Sequence, residues 1–152
     1  MQELTHYLNG AHVKGTSGRF ADVYNPATGE VQAKVPLAGE AELDQAVKYA
    51  MAAQPAWAAV NPQRRARVMM KFVDLLNRDM DKLAEALSRE HGKTLPDAAG
   101  DVQRGLEVVE YCIGAPELLK GDFTDSAGPG IDMYSMRQPL GVSAGITPLN
   151  FP

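Results

Sequence analysis

The side chains able to do chemistry in this sequence are few: Cys112, three histidines, the carboxylates Asp97 and Asp101, Arg104, and an asparagine, Asn150, ahead of Phe151-Pro152. Cys112 is the only candidate thiol nucleophile. A reactive thiol needs a lowered pKa, supplied by a histidine, a cation or a helix N-terminus. No histidine lies near it in sequence, so Cys112 reads as a structural, partly buried residue. His6, His12 and His91 lack metal-ligand spacing, since a structural zinc site needs about four ligands in short clusters, and no metal site is expected. His91, between Glu90 and Gly92-Lys93, suits the last turn of a helix, where a cation complements the dipole. His6 and His12 flank a hairpin and are expected to be exposed. Asp97 and Asp101 share a helix face, but with no third ligand they read as a solvated first turn. Gly128-Pro129-Gly130 leads into an extended run and not a helix, so it lacks the setting of a dinucleotide fingerprint. Arg104 reads as an i,i+3 surface partner of Asp101 or Glu107, and Asn150 as the cap of a turn. From these residues alone the chain does not read as a complete enzyme.

The elements that must position these groups follow from periodicity. Asn9-Gly10 between Tyr7-Leu8 and Ala11-His12-Val13-Lys14 predicts a hairpin. Phe20 to Tyr24 and Val31 to Val35 alternate in polarity and predict two antiparallel strands, joined by the turn Asn25-Pro26-Ala27-Thr28-Gly29. Leu43, Val47 and Ala50 form one stripe of a helix over Glu40 to Gln54, which Pro55 is expected to interrupt. Asn61-Pro62 is a helix start. The helix it opens should carry Val68, Phe72, Leu75 and Leu76 inward and Arg64, Arg65, Lys71 and Asp74 outward. Leu83 and Leu87 mark a further helix, ended by Gly92. A fourth runs from about Asp97 to Ile113, with Val102, Leu106, Val109 and Ile113 on one stripe and Arg104, Val108 and Tyr111 roughly opposite. Gly100 and Gly105 inside it imply close packing or a less regular helix, and Gly114-Ala115-Pro116 ends it. Asp125 to Gly130 reads as a turn, Ile131 to Arg137 as an extended arm and Gly141 to Ile146 as a short apolar strand. A strand running into a polar loop, here Thr147 to Pro152, is where ligand sites of α/β proteins begin. With no helix after that loop, the chain is expected to be a fragment cut at the entrance to its main sheet.

At 152 residues the chain has the size of one domain or of a piece of a larger one. Its 45% hydrophobic and 22% charged content argues against disorder as the main state. A formal net charge of -4 disfavours electrostatic capture of nucleic acid. The apolar runs are too short to span a bilayer, and no secretory signal is expected at the start. A single cysteine excludes an internal disulfide framework and fits a cytoplasmic location.

Three stretches resemble the aldehyde dehydrogenase superfamily, in its order and at roughly its spacing. They are Asn25-Pro26-Ala27-Thr28-Gly29-Glu30, Glu90-His91-Gly92-Lys93-Thr94, and Gln138 to Pro152. The resemblance covers nearly the whole chain, and the strand leading to Asn150-Phe151-Pro152 is its most specific part. Gly92 to Ala98, Asp101 to Glu110 and Tyr134 to Val142 resemble the acylating methylmalonate-semialdehyde branch. Leu149 stands where the superfamily usually has tryptophan, a replacement this branch tends to show.

The resemblance implies an α/β fold, of which this chain is an N-terminal fragment. Residues 1–120 would supply strands and helices of the NAD-binding domain. Residues 121–137 would form strands of an oligomerisation arm, and 138–152 the first strand of the dinucleotide-binding sheet and its loop. The implied reaction is covalent: a cysteine thiolate attacks the aldehyde, hydride passes to NAD, and coenzyme A takes the acyl group. That nucleophile would lie beyond Pro152, and Cys112 does not match it. Asn150 matches the amide that donates to the developing oxyanion. Arg104 matches an arginine that grips the carboxylate of a small-molecule semialdehyde. Ile146, Thr147, Pro148 and Leu149 match the stretch lining the nicotinamide side of the cofactor cleft. A homo-oligomer, dimer or tetramer, is implied, with no nucleic acid and no membrane as partner. A non-acylating NAD(P)-dependent aldehyde dehydrogenase, or an inert binding or assembly protein, stands as the alternative.

Overall fold

The structure, a computed structural model, describes residues 2–152. It opens with β1 (Gln2–Glu3), then a hairpin of β2 (His6–Leu8) and β3 (Ala11–Val13). Asn9 at φ 50° and Gly10 at φ 78° make its turn, the left-handed pair that Asn-Gly favours. β4 (Phe20–Tyr24) and β5 (Val31–Pro36) pair antiparallel from Phe20 opposite Pro36 to Tyr24 opposite Val31. Their turn is closed by the Gly29 N–H on the Asn25 carbonyl at 2.8 Å. β1 adds to β5 in parallel, giving the order β1-β5-β4; two residues are too few to show a period, so this strand was not legible.

The helices correct several expectations. α1 (Glu40–Ala59) runs straight through Pro55. Proline removes one hydrogen bond, but the alanines on both sides are strong helix formers and carry the helix past it. Its Leu43, Val47 and Ala50 stripe is exposed, and α1 buries nothing. α2 (Pro62–Arg78) starts as expected, with Asn61 Oδ1 accepting the Arg64 N–H at 3.0 Å. It buries Ala66 and leaves Val68 and Phe72 exposed, while Arg65, expected outside, is half-buried. α3 (Met80–His91) ends at Gly92, φ 86°.

α4 (Leu95–Ile113) begins two residues before Asp97, because Thr94 caps it by accepting the Asp97 N–H and Pro96 sits in its first turn. Leu106 is buried and Val102 and Val109 are half-buried, whereas Val108 and Tyr111 face solvent. Neither Gly100 nor Gly105 serves close packing: a Cβ at either meets nothing within 4 Å, and the helix is regular. After Gly114 the chain makes α5 (Ala115–Leu118). α2 and α3 both pack on α4, and the buried positions of this layer are Ala66, Ala84, Ala98 and Leu106. Small side chains let the helix backbones approach, and one leucine fills the space between them.

β6 (Phe123–Gly128) and β7 (Ile131–Tyr134) form a hairpin. Asp125 to Gly128 thus belongs to a strand and not to the turn, which is only Pro129-Gly130. The pairing is bulged, with Ser126 at φ 51°, and a bulge keeps such polar residues in a strand. At the hairpin base Gly121 passes so close to Ser135 that a Cβ would clash with its carbonyl. Gly141 to Ile146 is not a strand. No neighbouring strand lies beside it among the described residues, so its extended backbone has no ladder to join.

Candidate functional site

The site is built at the link between α3 and α4. Gly92 takes the left-handed conformation that lets α3 stop, and its N–H bonds the Ser88 carbonyl at 2.7 Å. Ser88 Oγ donates to the Lys93 carbonyl, also at 2.7 Å, and Thr94 caps the next helix. Lys93 is thus held by two helix ends. Its ammonium forms an ion pair with the Asp101 carboxylate, donates to the Asn150 carbonyl at 2.7 Å, and lies 5.0 Å from the centroid of the Phe151 ring.

This arrangement encloses a cleft of about 410 Å³. Lys93, Asp101, Gly100 and Arg104 line one side and Phe151 the other. Arg104 pairs with Glu107 at 3.0 Å and is 75% exposed, which is one of the two surface partners expected for it. Asn150 sits in a turn closed by backbone, Phe151 N–H to Pro148 carbonyl at 3.2 Å. Its side-chain amide therefore does not cap the turn and faces solvent. Ile146, Thr147, Pro148 and Leu149 approach that turn as an extended, exposed strip.

Asp97 also lines the cleft, from the exposed first turn of α4, where it accepts from Thr94 Oγ1 at 2.8 Å. Asp101, expected to be solvated beside it, is instead only 13% exposed, because Lys93 reaches back across the helix start to pair with it. Cys112 is half-buried in a separate 240 Å³ pocket with Trp57, Arg65 and Met69. His91 sits at the end of α3, as expected, with Nδ1 buried and unpartnered. His12 is exposed, but His6 is half-buried, because its hairpin leans on the start of α1 and brings Nε2 to 3.6 Å from Glu42. The Glu42 carboxylate accepts the Gly39 and Thr16 N–H groups at 2.7 Å each, and these bonds hold its pKa below the ordinary value. Among the described residues no group of three or more histidine, cysteine or acidic side chains is placed to hold a metal ion. Among the described residues no helix is long and apolar enough to cross a membrane.

Sequence reasoning missed Lys93 and Asp101 as parts of the site. They stand on opposite sides of a helix cap, and Lys93 lies outside α4, so the helical period does not relate the two. The available signal was Lys93 itself, a long cation placed between a C-terminal glycine and an N-cap threonine.

Small sheets followed by a layer of packed helices make this a piece of a mixed helix and strand fold. Residues 12–152 match the model of the aldehyde dehydrogenase family, and the chain belongs to that family. It is 50% identical, over its whole length, to a malonate-semialdehyde dehydrogenase of Pseudomonas aeruginosa, covering 30% of that protein. It is 44% identical over 96% of its length to a Dictyostelium discoideum protein described as a probable acylating methylmalonate-semialdehyde/malonate-semialdehyde dehydrogenase, covering 28% of it. Among solved structures, a methylmalonate-semialdehyde dehydrogenase from Oceanimonas doudoroffii superposes with a TM-score of 0.95 at 46% identity, over 99% of this chain and 31% of that one. A Sinorhizobium meliloti structure described as a methylmalonate-semialdehyde dehydrogenase complexed with NAD reaches 0.96 at 65% identity, over 100% and 31%. The chain thus spans about 30% of the length of the curated relatives it matches.

Proposed function

We propose that this chain is the part of an NAD-dependent, CoA-acylating malonate- or methylmalonate-semialdehyde dehydrogenase that supplies the oxyanion donor and the grip on the substrate carboxylate. The observation that carries this reading is the cleft lined by Arg104 of α4 and by Phe151, with the preceding residue, Asn150, tied to the same cleft through its carbonyl by Lys93. The names of the relatives favour a semialdehyde as substrate. Residues 1–120 serve as outer strands and helices of the cofactor domain, 121–137 as the oligomerisation arm, and 138–152 as a run with its loop that becomes the first strand of the dinucleotide sheet once the rest of that sheet stands beside it. The β6–β7 hairpin bares Phe123, Met133 and Tyr134 and pairs with no other strand of the described chain. Such an edge suits strand addition from another subunit, in keeping with a dimer or tetramer of a cytoplasmic enzyme.

Ile146, Thr147, Pro148 and Leu149 carry no charge and no ladder partner. They fit a flat nicotinamide face by shape and backbone contact. When bound, NAD accepts hydride and coenzyme A the acyl group. The chain's own contribution is electrostatic. The Asn150 amide donates an N–H to the aldehyde oxygen as negative charge grows there. The Arg104 guanidinium exchanges Glu107 for the substrate carboxylate, which it pairs with bidentately.

The test uses the full-length enzyme with malonate semialdehyde and with propanal, which has no carboxylate. Asn150→Ala should lower kcat for both by roughly 10²–10³-fold and leave the ratio of their kcat/KM values nearly fixed. Arg104→Ala should cost about 1.5–3 kcal/mol with the semialdehyde and little with propanal. If Arg104→Ala lowers both substrates equally, the arginine is structural and the semialdehyde reading loses its main residue.

A further inference from the structure

We propose that Lys93 is a positioning residue for Asn150: by holding the Asn150 carbonyl, it fixes the direction in which the Asn150 side-chain amide points. The inference rests on the oxyanion reading of Asn150 and deepens it by naming the group that holds the donor still.

The geometry is a chain of constraints that starts in the helical layer. Gly92 and Thr94 end one helix and begin the next, and Ser88 holds the Lys93 carbonyl between them. The Lys93 backbone therefore has little freedom. Its side chain is 17% exposed and its partner Asp101 13%. A cation withdrawn from water must spend its N–H groups on acceptors, because an unpaired one is costly. One goes to Asp101 and another to the Asn150 carbonyl. The Phe151 ring adds a face for the same charge.

On the loop side the other contacts are apolar: Gly141 to Ser143 lie beside Trp57 of α1, and Pro152 lies at the groove of the helical layer. Residues 141–152 are all exposed and join no ladder. The turn itself supplies one backbone bond, from Phe151 to Pro148. Among the described residues Lys93 makes the one side-chain hydrogen bond from the rest of the chain to this segment. An oxyanion donor is effective when it is aimed before charge develops. The Lys93 contact ties that aim to the helical layer, which the turn's own backbone bond does not reach. The Lys93 contact on the Asn150 carbonyl and the Phe151 N–H bond to Pro148 hold the two sides of one peptide plane, and with it the base from which the amide projects.

The experiment is a double-mutant cycle in the full-length enzyme with propanal, so that any attraction of the ammonium for a substrate carboxylate drops out. Lys93→Met keeps the length and removes the charge. It should lower kcat on the order of 10–100-fold, the effect of a small misplacement of a catalytic group, with KM little changed. Lys93→Arg should recover most of that loss. In the Asn150→Ala background Lys93→Met should cost almost nothing more, because the group it positions is gone. Backbone amide exchange over 147–152 should rise in Lys93→Met and stay unchanged elsewhere. Equal losses in both backgrounds, or unchanged exchange in the loop, overturn the proposal. A loss confined to KM for the semialdehyde also overturns it, by making Lys93 a substrate contact. Should Lys93→Met fail to fold, Asp101→Asn, which loosens the same ammonium and leaves it in place, takes its position in the cycle. If Asn150→Ala alone leaves kcat unchanged, the oxyanion reading fails, while loop exchange still reports whether Lys93 anchors the turn.

Discussion

The α2–α3–α4 layer and the segment from Gly121 to Pro152 treat apolar side chains in opposite ways. In the layer, helices joined by short links lie against each other, and Ala66, Ala84, Ala98 and Leu106 leave water almost completely. Larger side chains such as Phe72, Leu76, Leu87 and Val109 rim an apolar groove of about 450 Å³, which the terminal Pro152 also touches. In the segment, Leu140 and Ile146 are 99% exposed, and the hairpin carries its aromatics bare. The residue types are the same; the neighbours differ. A helix closes its own backbone bonds and needs a partner only for one face, so three helices suffice to bury something. An extended run needs a neighbouring strand merely to satisfy its backbone. In this 152-residue chain the part with the most specific sequence is therefore held by few contacts, of which Lys93 on the Asn150 carbonyl is the side-chain hydrogen bond, beside Pro152 at the groove and Gly141 to Ser143 next to α1.

The sharpest way to break this contrast is to truncate one leucine-sized side chain in each region of the 152-residue chain. Leu106 is 3% exposed, so Leu106→Ala should cost about 2–5 kcal/mol through lost burial and the cavity left behind. Ile146→Ala should lie within about 0.5 kcal/mol of the parent, as for other exposed positions. Urea denaturation measures both. Equal costs would mean that the segment docks on an apolar surface in solution and that the two regions do not differ as described.

What the sequence disclosed follows the same division. Helix ends were legible where one residue does the work locally: Asn61 caps α2 with its side-chain oxygen, and Gly92, with no Cβ to oppose a left-handed φ, stops α3. The hairpin at Asn9-Gly10 was legible for the same reason. Pro55 misled, because its penalty is set against helix propensity summed over a dozen neighbours. Val68 and Phe72 misled because periodicity says which face is apolar and not what stands opposite it. The strand expected at Gly141 to Ile146 failed on that account too. Near the cleft, Arg104 and Asn150 were singled out by resemblance alone. The Lys93–Asp101 pair was not legible, since it is made by the angle at which two helices meet, a tertiary fact with no period of its own.

A smaller effect sharpens the account of the layer from within. Gly105 lies in α4 beside buried Leu106, yet a Cβ there meets nothing within 4 Å. Gly105→Ala should therefore stabilise the chain by about 0.5–1 kcal/mol, the difference in conformational entropy between the two residues in a helix. A lower thermal midpoint in Gly105→Ala would show that something does pack against this glycine, and that the groove beside it is not open.

The smallest expected effect concerns the joint that holds the layer together. Asp79 ends α2 and begins α3. Its carboxylate accepts from Arg78 Nη2 at 2.5 Å and from Lys82 Nζ at 3.1 Å. The Arg78 bond, and after it the Lys82 bond, pull its pKa from the ordinary 3.8 down to about 2. Because the folded value is depressed, the contribution to stability is complete above the unfolded value and is lost as pH falls through the folded one. Both cations are largely exposed, so solvent screens the pair and the total effect is small. Its shape is nevertheless distinctive. The gap in urea midpoint between the parent and Asp79→Asn should be constant above about pH 4 and should close as the pH approaches about 2, the window set by the two pKa values. Other carboxylates titrate in that range, but they do so in both proteins and cancel in the difference. A gap that stays flat down to about pH 2 would mean that Arg78 and Lys82 do not hold Asp79 in the folded chain. The joint between α2 and α3 would then be as loosely tied as the exposed segment, and the contrast between the two regions would rest on Ala66, Ala84, Ala98 and Leu106 alone.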